Sequence, residues 1–165
     1  MPAAAQQLTL RDATPSDADA MATLFLAARR TAMPWLPALH SEEETRWWVA
    51  NIMLRDCCVR VAEIDGRVAG FAATDKGWLH HLYVAPGHQG IGVGSQLLDD
   101  AKRNAGVSLQ LYVFQRNQRA RAFYGGHGFV EVIFSDGSGN EENEPDLVMA
   151  WRQLTHPQST QGPTP

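Results

Sequence analysis

The chain is short of cysteine, of long apolar runs and of excess positive charge, and each shortage narrows what it can be. Its 2 cysteines among 165 residues are neighbours, Cys57 and Cys58. Adjacent strand residues point to opposite faces, so these two are not expected to bridge one another. They read as packing residues of a reducing compartment. No apolar run reaches the length that crosses a bilayer, and residues 1–7 lack the basic region and apolar core of a secretory leader. The expectation is a cytoplasmic protein without a membrane partner. The 14 Lys and Arg against 18 Asp and Glu leave a net charge of −4, which argues against a nucleic-acid partner. No metal is expected: His80 and His81 are adjacent, and Cys57-Cys58 lacks a C-x-x-C interval. There is no Gly-x-Ser-x-Gly elbow for a serine hydrolase.

What is present suits one soluble domain, with 44% hydrophobic and 19% charged residues. The expected division is a single domain over residues 1–154 and a flexible tail over 155–165, rich in Pro, Thr and Gln. Residues 8–13 alternate as a first strand. Thr14-Pro15-Ser16-Asp17 opens a helix, with a capping hydroxyl, Pro at its first position and an acid in the first turn. Met21, Leu24, Phe25 and Ala28 form its apolar face. Ser41-Glu-Glu-Glu44 is a capping box for a second helix, with Trp47, Trp48, Ile52 and Met53 on or near its buried side. Asp65-Gly66 joins two strands as a hairpin. A strand over 78–84, a helix over 93–105 ending at Gly106, a strand over 108–114, a helix over 117–127 and strands over 129–134 and 147–151 follow. The order is that of an α/β sandwich with a mixed sheet.

The densest information lies in Leu82-Tyr-Val-Ala-Pro-Gly-His-Gln89-Gly90-Ile91-Gly92-Val93-Gly94-Ser95. A strand enters a glycine-rich turn that becomes a helix. Backbone amides at such a place point outward and favour a negative group, with phosphate the natural occupant. A nucleotide P-loop would need Gly-Lys-Ser/Thr, which is missing. A dinucleotide fingerprint would need Gly-x-Gly-x-x-Gly early in the chain, and the spacing here is Gly90-x-Gly92-x-Gly94. A tight turn without a ligand is the bland alternative. The third pattern, Gln89-x-x-Gly92-x-Gly94, resembles the pyrophosphate loop of the GNAT N-acetyltransferase superfamily. A second block, Asn117-Gln-Arg-Ala120-Arg-Ala-Phe123-Tyr124 followed by Gly128-Phe129, is similar to a later segment of that superfamily. Together they cover about residues 77–135.

The resemblance implies a mixed, mostly antiparallel sheet, splayed in the middle and flanked by helices. It also implies acetyl-coenzyme A as co-substrate and an amine, small or on a protein, as acceptor. Leu82, Tyr83 and Val84 would border the gap that takes the pantetheine arm. Gln89, Gly90, Ile91, Gly92, Val93, Gly94 and Ser95 would hold the diphosphate, with Asn117, Ala120, Phe123 and Tyr124 completing the cofactor set. Tyr124 occupies the place of the acid that protonates the leaving thiolate. The base is often drawn from the strand before the loop. Alternation puts Trp78 and His80 on one face and His81 on the other, so His80 is the expected base, against its reading as a packing histidine. Tyr112 stands where some members carry Glu and is no base at neutral pH. Trp35, His40 and Trp78 are candidates for the acceptor side. The acidic stretch 136–146 would attract a cationic amine, shape the pocket or simply be solvated. A homodimer, helped by the Trp-rich second helix, is a further expectation. The contrasting functional class is a non-catalytic acyl-coenzyme A sensor.

Overall fold

A computed structural model describes residues 6–154; residues 1–5 and the expected tail, 155–165, lie outside them. Strand β1 (Leu8–Asp12) leads through a 3-10 turn at Pro15–Asp17 into α1 (Ala18–Ala32). The helix therefore becomes α-helical later than Thr14-Pro15 suggests. Asp17 is the reason: its carboxylate accepts from the Thr14 N–H at 2.7 Å and from Arg11 at 2.8 and 2.9 Å, tying the first turn back onto β1. These bonds hold the Asp17 carboxyl down at about 2, against 3.8 ordinarily. A carboxylate lowered on folding stabilises fully above its unfolded pKa and loses that contribution as pH falls through its folded one. Asp17 is thus expected to contribute about 2 kcal/mol above pH ~4, lost as pH falls toward ~2. Urea unfolding of wild type and Asp17→Asn across that window checks this; equal pH slopes would refute it.

Ser41 caps α2 (Glu42–Trp48), accepting from Glu44 N–H at 3.0 Å. A π-helical stretch (Val49–Met53) and one last turn, α3 (Leu54–Asp56), continue it. Trp47 is not on the buried side: it is 60% exposed, while Met53 is buried as expected and Val49 is buried as well. Cys58 is exposed rather than packed, and Cys57 is half-buried.

The sheet has seven strands in the order β1-β2-β3-β4-β5-β7-β6. They are β2 (Cys58–Ile64), β3 (Arg67–Asp75), β4 (Trp78–Val84), β5 (Ser108–Phe114), β6 (Val130–Ser135) and β7 (Asp146–Arg152). Asp65-Gly66 forms the β2–β3 hairpin as its sequence demands, with φ of 51° and 76°. All neighbours run antiparallel except β4 and β5. One core lies between the sheet and α1–α2, around Met21, Val49, Val61 and Phe71. The other lies under α4 (Val93–Ala105) and α5 (Gln118–Gly126), around Leu97, Leu98, Leu109, Leu111 and Met149. The mixed sheet flanked by helices is the architecture expected.

Two irregularities in β4 break the regularity of the sheet. First, β4 and β5 pair only at Trp78↔Gln110 and then part. Second, the β3–β4 register shifts, with Ala73 opposite His81 but Thr74 opposite Leu79, so His80 is an extra residue in a bulge. Leu79 belongs to the α4-side core and Leu82 packs against it, although the two are three residues apart rather than two.

Candidate active site

The fork between β4 and β5 leaves one edge of β4 unpaired. Ala85 N–H donates to Ala69 C=O across β3–β4 at 2.8 Å. Antiparallel partners exchange bonds at alternate residues, so Leu82 and Val84 turn their N–H and C=O groups toward the gap. Tyr83 bonds to β3 and sends its side chain to the α1 side, where it meets Phe25 at 4.9 Å. A chain laid into the fork would find an edge strand waiting at Leu82 and Val84.

At the open end of the fork the chain passes a 3-10 turn (Pro86–His88) and enters the glycine-rich loop. Gly90 and Gly92 have φ of 80° and 89°, which side chains disfavour, and a Cβ at either would project into open space. Gly92 caps α4, whose first internal bond is Gln96 N–H to Gly92 C=O at 3.0 Å. The amides of the first turn are therefore left without helical partners, and no protein atom lies within 4 Å of where a Cβ would stand at Gly90 or Gly92. A helix N-terminus of this kind suits a diphosphate. Gly94 lets α5 approach: a Cβ there would lie 3.4 Å from the Phe123 ring and 3.6 Å from Val84. Val93 is buried and can offer only its backbone, whereas Ile91 is 53% exposed.

Helix α5 starts at Asn117, whose side chain accepts from Ala120 N–H at 3.2 Å. That bond commits Asn117 to capping and Ala120 to the first turn. The helix puts Phe123 beside the loop and Tyr124 against the α4-side core next to the fork. Burial, reinforced by Tyr83, pushes the Tyr124 phenol well above its ordinary range, so it stays protonated. His127 joins the two helices: its Nδ1 meets Phe123 C=O at 2.8 Å and its Nε2 meets Ser95 Oγ at 3.1 Å. A carbonyl only accepts, so Nδ1 carries a proton, and in the neutral ring Nε2 accepts from Ser95. Ser95 thus has a partner inside the protein.

On the other face of the sheet a cavity of about 950 Å³ opens between α1, the 33–41 connection, α2 and the 136–145 loop. His81 reaches it from β4; His80 does not line it and is exposed. The bulge is the cause. One inserted residue inverts the parity beyond it, so Trp78 shares its face with His81 rather than with His80. His80 therefore does not reach this cavity. Trp78 stacks on Tyr112 at 4.9 Å where the fork begins. Trp35 wedges against Phe114 at 5.8 Å beneath Arg116 at 4.5 Å. Neither Trp78 nor Trp35 lines the cavity, but His40 does.

The acidic stretch is pinned rather than simply solvated. Glu142 pairs with Arg29 at 3.2 Å, Glu141 with His40 at 3.1 Å and Glu144 with Arg116 at 3.5 Å. Asn140 closes the loop on itself, donating to Glu144 C=O at 2.8 Å and accepting from Glu144 N–H at 3.2 Å. Hydrogen bonds donated by the ring first to Glu141 and then to Glu44 raise the His40 pKa. Arg29 also donates to the Tyr83 hydroxyl at 3.1 Å, linking α1, β4 and the loop. The sequence held one hint of this: Arg29 sits four residues after Phe25, a cation on the inward stripe of α1. His81 had no local signal, because the bulge has none.

Comparison with known proteins agrees with this geometry. Residues 55–131 match the family model described as an acetyltransferase (GNAT) domain. An uncharacterized N-acetyltransferase of Mycobacterium tuberculosis is 31% identical over 132 residues, covering 69% of this chain and 83% of that one. One from Archaeoglobus fulgidus is 37% identical over 99 residues, 50% of this chain and 66% of that one. The peptidyl-lysine N-acetyltransferase YiaC of Escherichia coli is 28% identical over 150 residues, 86% and 95% of the two chains. The PaiA N-acetyltransferase of Thermoplasma acidophilum, solved with coenzyme A, superposes with a TM-score of 0.67 at 19% identity, covering 89% and 99%. The chain belongs to the GNAT acetyltransferase family. It spans under two thirds of the length of two archaeal relatives, 66% and 61%. Among the described residues there is no helix long and apolar enough to cross a membrane and no cluster of metal-binding side chains.

Proposed function

We propose that the protein transfers the acetyl group of acetyl-coenzyme A to an amine by direct attack in a ternary complex. The observation that carries this reading is the β4–β5 fork running into the glycine-rich turn that opens α4, whose first amides have no helical partner. Leu82 and Val84 pair with the pantetheine arm as a missing strand would, and the loop amides hold the diphosphate. The Gln89 side chain adds a neutral hydrogen bond. The Val84 amide stabilises the oxyanion of the tetrahedral adduct, and Tyr124 protonates the departing thiolate. The amine enters from the cavity on the α1–α2 side. Coenzyme A in the Thermoplasma neighbour supports the co-substrate, and the name of the Escherichia coli relative supports protein amines among the acceptors.

Thiol release from acetyl-coenzyme A across a panel of amines tests the proposal. The expected result is amine-dependent release, with coenzyme A raising the melting temperature. Binding without release on any amine would favour a sensor; no thermal shift at all would remove the cofactor assignment.

A further inference from the structure

One polar group faces the cavity from the sheet without a partner. His81 lies among the rings of Phe25, Trp48 and Tyr83, with centroids at 5.9, 5.1 and 6.2 Å. Its Nδ1 is sealed from solvent and makes no hydrogen bond; Nε2 is not among the sealed atoms. Burial first, then His80 and Arg29, pushes its pKa down to about 3. The ring is therefore neutral at pH 7, with a single N–H. An orphaned buried N–H is rarer than an orphaned acceptor, which leaves Nδ1 bare against the apolar wall and puts the proton on Nε2. The cavity thus receives a neutral donor, with the Arg29 guanidinium in the same wall. A plain alkyl ammonium has nothing to offer such a donor, whereas an oxygen does. Its place is specific as well. His81 immediately precedes Leu82, whose backbone faces the fork, so a group bound to His81 lies about one residue from where the thioester would be presented.

We propose that the acceptor carries a carbonyl or carboxyl oxygen beside its amine, as the α-amino group of an amino acid or peptide does, and that the His81 Nε2–H donates to that oxygen. The proposal rests on the acetyl-transfer function and names its substrate class. Protonation favours the same class. Within that class the α-amine of a peptide or amino-acid amide has a pKa near ~8 against ~10.4 for a lysine side chain, so far more of it is neutral at pH 7. Of the cavity carboxylates, Glu44, Glu141 and Glu142 are already held by His40 and Arg29, and Glu43 is exposed to solvent on α2. In the step itself the neutral amine forms the C–N bond at the thioester carbon and the C–S bond breaks. The thiolate takes the Tyr124 proton. The surplus proton on nitrogen leaves to solvent through the cavity mouth, and one returns from solvent to Tyr124. His81 keeps its proton throughout.

The test compares alaninamide, alanine, n-butylamine and Nα-acetyl-lysine amide as acceptors, with rates corrected for the free-amine fraction. Wild type is expected to favour the first two by ~10-fold or more in kcat/KM. His81→Phe should erase that preference, and His81→Gln should restore part of it, with the coenzyme A thermal shift unchanged in both. Equal or better use of n-butylamine or the lysine derivative by wild type would overturn the proposal, as would a preference that survives in His81→Phe. Nitrogen-detected NMR of the folded wild type gives a second readout, independent of the variants. It should show the Nε2–H tautomer and no protonation down to pH ~5; an Nδ1–H tautomer, or titration near pH 6.5, would overturn it. Absence of turnover on every amine together with absence of a coenzyme A shift would instead bring down the transferase function, and the acceptor class with it.

Discussion

Gly92→Arg should abolish coenzyme A binding while the sheet remains folded. Two effects act at this position. Gly92 holds φ of 89° at the cap of α4, so any side chain is strained there, at a cost of about 1–2 kcal/mol. The larger effect is occupancy. A Cβ at Gly92 meets nothing of the protein within 4 Å, so the arginine would project into the space that the loop amides face. Wild type at a hundredfold excess of coenzyme A over Kd should gain ~2.7 kcal/mol of stability; the variant should gain none. Calorimetry and thermal unfolding check this, with circular dichroism confirming the fold. Unchanged affinity would mean that the loop does not hold the diphosphate.

Tyr124→Phe should lower turnover by ~100-fold or more and leave coenzyme A affinity within about twofold, because a general acid contributes to the chemical step rather than to ground-state binding. Burial raises the Tyr124 pKa, so the phenol is protonated across the working range. A phenol so raised would be a poor donor to a thiolate in water. Desolvation beside the fork penalises the thiolate as well, which brings the two proton affinities together. No acid-side loss of rate is expected from Tyr124 itself, since its folded pKa lies above the ordinary value. Steady-state kinetics with a competent amine decides the matter. Equal turnover in the variant would remove Tyr124 from the reaction and leave it as a packing aromatic between Phe123 and Phe129.

Together the two variants separate the halves of the site. The loop variant should fail in binding and the phenol variant in turnover, while the acceptor preference responds to His81 alone. That independence follows from where the groups sit. The loop and Tyr124 are built on α4 and α5, against one core. His81 faces α1 and α2, across the sheet. The two sides meet at the fork.

What the sequence determined by itself was everything that depends on local rules. Helix and strand periods, the Asp65-Gly66 hairpin, the Ser41 cap and the glycine spacing at 90–94 each depend on a few adjacent residues. Neighbouring backbone and side-chain sterics govern all of them. The strand, turn and helix N-terminus proposed to hold the cofactor were legible for the same reason, since they are contiguous in the chain. The acceptor side was not. Trp47 turned outward while Val49, which opens the π-helical stretch after it, is buried beside the expected Met53. The acidic loop found cations from α1, the 33–41 connection and the turn before α5, up to 113 residues away. Most of all, strand parity held only as far as the bulge. One residue without a counterpart on β3 exchanged His80 for His81 at the cavity, because pairing between strands, not the order of residues within one, decides which side chain faces in.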